Sequence, residues 1–322
     1  ASFPSVSAAW KIQEESFMSE LTWVNELKLR AGYGQAGTAN VDPYTSTGPL
    51  SVYDYVFGTS PAVSFLPYLM SNPTLTWERA AQSNIALDFG FLNNRIVGSI
   101  DLYQTNTTGL LLERILPPII GYPLILDNIG KTKNQGVEVT VSTRNIVNRD
   151  FTWSTDLSFA HNEDEIVELV NGKEDMKGNG WYIGYPQGVF RTYKVDGLWQ
   201  DTPEDQAEIA LWGANGYKFA PGQYKPVEQG TPDHKLTDDD KVIVGSSQPD
   251  FTAGMTNTFT YKGFELSCFI YARVGQEYFS SLQPGGSTGG QYIGYVRKAD
   301  LNEFWSPTNT KAEWPGLTSN PT

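Results

Sequence analysis

Apolar and polar residues alternate along much of this chain, and the alternation defines its elements. In "NIGKTKNQGVEVTVSTRN", residues 128–145, Val137, Val139 and Val141 point one way while Glu138, Thr140, Ser142 and Arg144 point the other. A period of two is the signature of a strand with two unlike faces. The same phase recurs near 4–13, 22–35, 77–91, 95–108, 151–161, 251–261 and 264–275, so about eight strands are predicted. Such a strand fits two architectures. In a soluble sandwich the valines enter the core and the charges meet water. In a membrane barrel the valines meet lipid and the charges line a wet lumen.

The connections separate the two. "LNNR", "NIVNRD" and "TYKGFE" are tight links rich in Asn or Gly. The other links are long, near 37–75, 109–132, 163–249 and 277–322. Hairpins that alternate short and long links gather every long loop at one end. Compact soluble domains rarely carry structureless links of that length, whereas outer-membrane barrels pair short periplasmic turns with long outer loops. The strands also exceed the ~9–11 residues that a tilted spanning strand needs. Phe89, Phe91, Phe151, Trp153, Phe259, Tyr261 and Phe264 flank the short turns, where an interfacial girdle would sit. The fold class expected is all-β, an antiparallel transmembrane barrel. Glu138, Thr140, Ser142 and Arg144 then face the lumen.

Composition narrows the function. A net charge of −13 argues against nucleic acid, which needs a basic face. No run of about 18 apolar residues provides a membrane helix. The single cysteine, Cys268, excludes an internal disulfide and reads as a buried or lipid-facing residue. The chain opens directly on strand-like alternation and closes in loop-like sequence, so it is expected to be a portion of a longer polypeptide.

Several stretches resemble the barrel of SusC/RagA-type TonB-linked outer-membrane transporters of Bacteroidetes. They are "FPSVSAAWKIQEESFM", "LKLRAGYGQAGTANV", "LTWERAAQSNIALDFGFLNNRIVGSIDLYQTNTTGLLL", "NIGKTKNQGVEVTV", "DGLWQ", "PDFTAGMTNTFTYKGFELSCFIY" and "FWSPTNTKAEWPG". The resemblance implies a large plugged barrel, one wall portion of which is present here without plug or TonB box. It implies import of an oligosaccharide or peptide, a SusD-like lipoprotein over the outer mouth and energy from the TonB complex. It also implies contact with membrane lipid and dimers of transporter–lipoprotein units.

Candidate chemistry is sparse. The stretch 227–245 stands where the family often carries a calcium loop. Asp233, Asp238 and Asp240 remain, but Gln229, Thr231 and His234 replace expected ligands and the turn glycine, so Ca2+ is a weak candidate. The two histidines, His161 and His234, complete no zinc pattern, and no nucleophile elbow or P-loop occurs. No catalytic residue is expected, although acidic clusters such as 162–165 keep a glycoside hydrolase open as an alternative. A glycan-binding β-protein is the other. Trp181, Tyr182, Tyr185, Trp199, Tyr292 and Tyr295 are the ligand-contact candidates, because flat rings stack on the apolar faces of sugars. The same rings would serve equally to pack a folded loop or to touch a lid protein.

Overall fold

The computed structural model describes residues 2–278, 304–312 and 314–316. Tyr292 and Tyr295 lie outside the described residues. The chain divides into two compact units, one formed by 1–188 with 248–276 and the other by 189–247 with 277–322.

The first unit is built on an eight-stranded antiparallel sheet. Its strands are β1 (Ser5–Lys11), β2 (Val24–Thr38), β3 (Glu78–Phe91), β4 (Ile96–Thr108), β5 (Lys131–Val147), β6 (Phe151–Glu168), β7 (Phe251–Tyr261) and β8 (Phe264–Val274). They pair in chain order, so the sheet is a simple meander with β1 and β8 at its edges. Each strand falls where the alternation places it. The main difference is length: β6 continues seven residues past the expected end at 161, because Glu163, Asp164, Glu165 and Glu168 keep pairing with β5. Lys131 and Lys133 of β5 pair with Glu168 and Glu165, which ties this polar extension together.

The tight turns owe their form to backbone chemistry. At the β7–β8 link Tyr261 pairs with Phe264, and the two residues between them, Lys262 and Gly263, both have positive φ. That is the mirror-image turn whose twist matches the strands. Leu92, Asn93 and Asn94 turn the β3–β4 link in the left-handed region, where asparagine is tolerated.

Register fixes the two faces, because directly paired residues share one side. One row runs Leu29, Leu87, Ile100, Val139, Phe159 and Ala253 across β2–β7. The neighbouring row, half a pleat away, runs Arg30, Ala86, Asp101, Glu138, Ala160 and Thr252. Over the middle of β2–β7 one face is therefore apolar and the other polar, while on the edge strand β8 Phe269 and Tyr271 fall on the polar side. Two glycines let rings lie flat on the sheet. A Cβ on Gly98 would meet the Phe89 ring at 2.7 Å on the apolar face, and one on Gly136 would meet the Tyr103 hydroxyl at 2.5 Å on the polar face.

The links at the long-loop end carry their own structure. Leu50–Phe57 and Ser60–Pro67 form a separate two-stranded hairpin. Leu69–Met70, Leu111–Ile115 and Leu124–Asn128 form a small three-stranded sheet.

The second unit was expected to be part of one long loop, yet it has a core. Val189–Leu198, Tyr224–Val227 and Lys241–Ser246 make a three-stranded antiparallel sheet. Helix α1 spans Pro203–Ala214. Thr202 caps it by accepting the Asp205 amide, Pro203 opens it, and Glu204 and Asp205 suit the positive end of its dipole. Trp199 and Trp212 are fully buried, and Phe219 packs against both at ring distances of 6.0 and 5.4 Å. Among the described residues no helix is long and apolar enough to cross a membrane, so any crossing falls to the strands.

Candidate functional site

The polar face of the sheet concentrates the charge. Lys28 and Arg30 on β2 meet Asp88 on β3 and Asp101 on β4. Arg30 donates to Asp88 from Nε at 2.8 Å and from a terminal nitrogen at 2.7 Å, and reaches Asp101 at 3.2 Å. Lys28 stands 3.4 Å from the same Asp88. The two-toothed Arg–carboxylate geometry is the strongest form such a pair takes. Further along the face Ser99 and Thr140 hydroxyls lie 3.1 Å apart, Ser142 donates to Asp156 at 2.6 Å, and Tyr103 donates across Gly136 to Asn162 at 2.8 Å. Glu138, Thr140, Ser142 and Arg144 all belong to this face by register. Glu138 is exposed, and it sits directly opposite Asp101, a repulsive pairing within the sheet.

The apolar face has the dimension of a bilayer. On β5 its apolar phase runs from Val137 to Ile146 through a bulge after Arg144, and it spans the eight residue steps from Trp153 to His161 on β6. At about 3.3 Å per step and a tilt of about 40° this projects to roughly 20 Å, against ~25 Å for the apolar band of a membrane barrel. Beyond Val137 the same phase turns polar, with Ser83, Gln104, Gln135 and Glu163 in one row. At the opposite end the rings gather beside the short turns. Trp153 stacks on Phe259 at 5.7 Å, Phe89 on Phe91 at 5.4 Å, and Trp23 meets Phe91 at 5.4 Å. Just inside them lies a polar cluster on the apolar side. Asn257 Oδ1 accepts from Trp153 at 3.0 Å and from Thr155 at 2.7 Å, and Asn145 donates to Thr155 at 2.7 Å. Their polar groups are largely satisfied by one another, which lowers the cost of facing an apolar medium. Cys268 is exposed on the same phase of β8.

The ligand-contact candidates divide. Tyr185 is exposed and Trp181 half-buried, whereas Tyr182 is buried. Trp199 is 0% exposed and carries the Lys225 ammonium over its ring at 4.6 Å. Trp199 therefore corrects the expectation from sequence: its ring is core, not an open stacking platform. Its indole N–H has no hydrogen-bond partner among the described residues.

The acidic stretch is built into the protein rather than left open. Asp240 accepts the amides of Gln229 and Thr237 at 3.0 and 2.7 Å and the Thr237 hydroxyl at 2.8 Å. The Thr237 donors and the Gln229 amide hold the Asp240 carboxyl below the usual range. Asp238 pairs with Arg191 at 2.9 Å and Lys241 at 3.3 Å, and Asp233 accepts the Lys235 amide at 3.0 Å. The three carboxylates point to three separate tasks, and among the described residues no cluster of three or more His, Cys, Asp or Glu is placed to hold a metal. Burial pushes Asp205 up, but the Gln200 amide and Lys225 outweigh it and hold that carboxyl low. His161 Nδ1 lies 2.5 Å from the Asp250 carbonyl, and His234 Nε2 lies 3.0 Å from Glu208 beside the Trp212 ring.

The Arg30–Asp88–Asp101 ladder escaped the reading of the sequence. Its signal was present, since "ELKLR", "ALDFG" and "SIDLY" each put a charge on the same phase, but register between strands is needed to see the charges meet.

Residues 1–312 match the family described as "TonB dependent receptor-like, beta-barrel". TonB-dependent receptor P3 of Formosa agariphila is 31% identical over 98% of this chain and 32% of its own length. TonB-dependent receptor SusC of Bacteroides thetaiotaomicron is 29% identical over 98% of this chain and 31% of its own length. Among solved structures, the RagAB peptide transporter aligns with a TM-score of 0.73 at 25% identity, covering 99% of this chain and 34% of that one. The chain spans about a third of the length of the curated relatives it matches. The chain belongs to the TonB-dependent receptor β-barrel family, whose SusC and RagA members are outer-membrane proteins.

Proposed function

We propose that this segment of a TonB-dependent receptor barrel forms part of the wall of an outer-membrane nutrient importer. The apolar face meets lipid, and Glu138, Thr140, Ser142 and Arg144 face the lumen together with the Arg30–Asp88–Asp101 ladder. The observation that carries this reading is the continuity of the two faces: strands β2–β7, paired in sequential order, keep an apolar row beside a polar row. A charge costs about 2–4 kcal/mol on the lipid face at mid-membrane and little in a lumen, so the partition of charges supports this facing.

The cargo is an oligosaccharide or a peptide, supported by the relationship to SusC and to the RagAB peptide transporter. A SusD-like lipoprotein covers the mouth at the long-loop end, which faces the outside of the cell, and two such units pair. Energy comes from the TonB complex through the plug and TonB box of the full polypeptide. Tyr185 and Trp181, with Tyr292 and Tyr295, remain the aromatic contacts for cargo or lid. Import breaks no bond in the cargo, and none of the chain's carboxylates is needed as an acid–base pair.

The test is uptake by cells that carry the full-length receptor or lack its gene, with labelled oligosaccharides and peptides offered in turn. Loss of uptake of one class on deletion, restored by the gene, supports the reading. Extraction of the full-length protein without detergent, or cleavage of a glycan by the purified protein, would overturn it.

A further inference from the structure

The apolar side of β5–β7 holds a chain of hydrogen-bond donors that runs out of acceptors. The Thr143 hydroxyl donates to Asn145 Oδ1 at 3.0 Å, the Asn145 amide to the Thr155 hydroxyl at 2.7 Å, and the Thr155 hydroxyl to Asn257 Oδ1 at 2.7 Å. The Trp153 indole N–H donates to the same Asn257 oxygen at 3.0 Å. An indole nitrogen can only donate, so the Asn257 atom that meets it must be the oxygen. The Asn257 amide nitrogen is therefore turned away, and among the described residues nothing accepts from it. Water would satisfy such a donor, but hydrocarbon cannot.

Two features border this amide on the same side of the sheet. Toward the long-loop end, Val139, Leu157, Phe159, Ala253, Ile270 and Ala272 line an apolar hollow of about 320 Å³. The directly paired Ala253 and Ala272 leave the space that their larger neighbours enclose. That volume falls at the lower end of ligand clefts, ~300–1,000 Å³. Toward the short turns, the Trp153–Phe259 ring pair lies two residues from Asn257, roughly 5 Å along the membrane normal. Beyond the rings, Arg149 and Lys262 stand in adjoining turns, which the Lys262 amide joins by donating to the Asp150 carbonyl at 3.1 Å. The Lys262 ammonium lies 5.3 Å from the ring of Tyr261, a residue of the apolar phase. Both cations are exposed, and neither makes an ion pair among the described residues.

We propose that this strip of β5–β8 is a binding site for one diacyl phospholipid of the periplasmic leaflet. Its phosphate lies toward Lys262 and Arg149, an ester carbonyl accepts from the Asn257 amide, and an acyl chain occupies the hollow. The proposal rests on the reading that the apolar face meets lipid with the short turns on the periplasmic side, and it adds a defined site to that reading. The occupant is selected by order and by spacing. Cation, donor and hollow follow one another along the strands as phosphate, ester and hydrocarbon follow one another in a phospholipid. The headgroup layer adds about 5–8 Å to each side of the hydrocarbon core. A step of roughly 5 Å inward from the ring pair therefore sets the Asn257 amide where esters give way to chains, and the long side chains of Arg149 and Lys262 can reach the phosphate above it. A second copy of this face fits less well. Two-fold pairing across the membrane plane would set Arg149 and Lys262 against the same cations at the same depth.

The experiment uses the full-length receptor, purified in mild detergent and stripped of native lipid. It is titrated with dipalmitoyl phosphatidylethanolamine and with the dihexadecyl ether analogue, which keeps the headgroup and chains but has no ester carbonyl. Native mass spectrometry counts bound lipid, and heat-modifiable gel migration reports the intact barrel. The parent is expected to hold one ester lipid at least fivefold more tightly than the ether. Asn257→Leu should bring the ester down to the ether level. Ala272→Phe, which fills the hollow with apolar bulk, should weaken both at least fivefold. Equal affinity for ester and ether in the parent overturns the proposal, as does an ester preference that survives Asn257→Leu. Parental affinity in Ala272→Phe overturns it whether or not Asn257→Leu folds. Cys268, paired with Asn257 on the same phase, reports the facing separately. Modification of Cys268 by a water-soluble maleimide in vesicles overturns the lipid-facing reading and this site together, whereas a protected Cys268 without an ester preference overturns the site alone. Cross-linking of Cys268 to Cys268 between two receptors overturns it in favour of a second copy.

Discussion

Val141 and Ser142 are neighbours in sequence and face opposite media, so one substitution made at both sites measures the facing of β5. Val141 pairs with Gly98 and Leu157 near the middle of the apolar phase, which runs from Val137 to Ile146. An arginine there faces hydrocarbon close to the midplane, at a cost of about 2–4 kcal/mol. At about 1.4 kcal/mol per tenfold, that is a drop of roughly 30- to 700-fold in the folding equilibrium. Ser142 sits on the polar face and donates to Asp156 at 2.6 Å. An arginine there loses one hydrogen bond, about 1 kcal/mol, and gains a carboxylate neighbour, so the net cost stays below about 1 kcal/mol. The assay is reversible denaturant unfolding of the full-length receptor in lipid vesicles, followed by tryptophan fluorescence. Equal costs at the two sites, or a larger cost at Ser142, would refute the facing.

Other outcomes follow from named contacts. Asp88→Asn removes the forked acceptor of Arg30 and is expected to cost about 1.5–3 kcal/mol in the same assay, with Asp101→Asn costing less because it holds Arg30 by a single 3.2 Å contact. Trp199→Ala empties the core of the 189–247 unit and is expected to cost about 3–5 kcal/mol, read as lost protease resistance within that segment. The folded carboxyls of Asp240 and Asp205 are held low, so their contribution to the stability of that unit is full above about pH 4 and is lost as pH falls further through the folded values. Acid titration of the tryptophan fluorescence reads this, and Asp240→Asn should remove part of the pH dependence. Gly136→Ala forces the Tyr103 ring off the sheet and should break its 2.8 Å bond to Asn162, with a stability loss of about 1–3 kcal/mol.

The wall was legible because its physics is local. Alternation such as Val137–Glu138–Val139–Thr140 can form a half-exposed strand and little else, and Lys262–Gly263 can make a tight reversal without help from distant residues. The polar extension of β6 was not legible, because Glu163–Glu168 reads as a solvated rim until Lys131 and Lys133 are brought opposite. The 189–247 unit was hidden for another reason. "DTPEDQAEIALWGANG" carries a capping threonine, a proline at the first turn and two acids after it, a clear helix start. It lies within the long link 163–249, which the strand pattern alone leaves as loop. Trp199 shows the limit most plainly. The flat apolar ring that would stack on a sugar also fills a core well, and only packing decides between them.

The central claim is that the Val137–Val139–Val141 side of the sheet meets lipid and the Glu138–Thr140–Ser142 side meets the lumen. Spin labels placed one at a time at residues 137–142 of the full-length receptor, in a Cys268→Ser background and in lipid vesicles, test it directly. Oxygen, which partitions into hydrocarbon, should collide strongly with labels at 137, 139 and 141 and weakly at 138, 140 and 142. Oxygen accessibility of the opposite phase, or low accessibility at all six sites as in a closed protein core, would contradict the account.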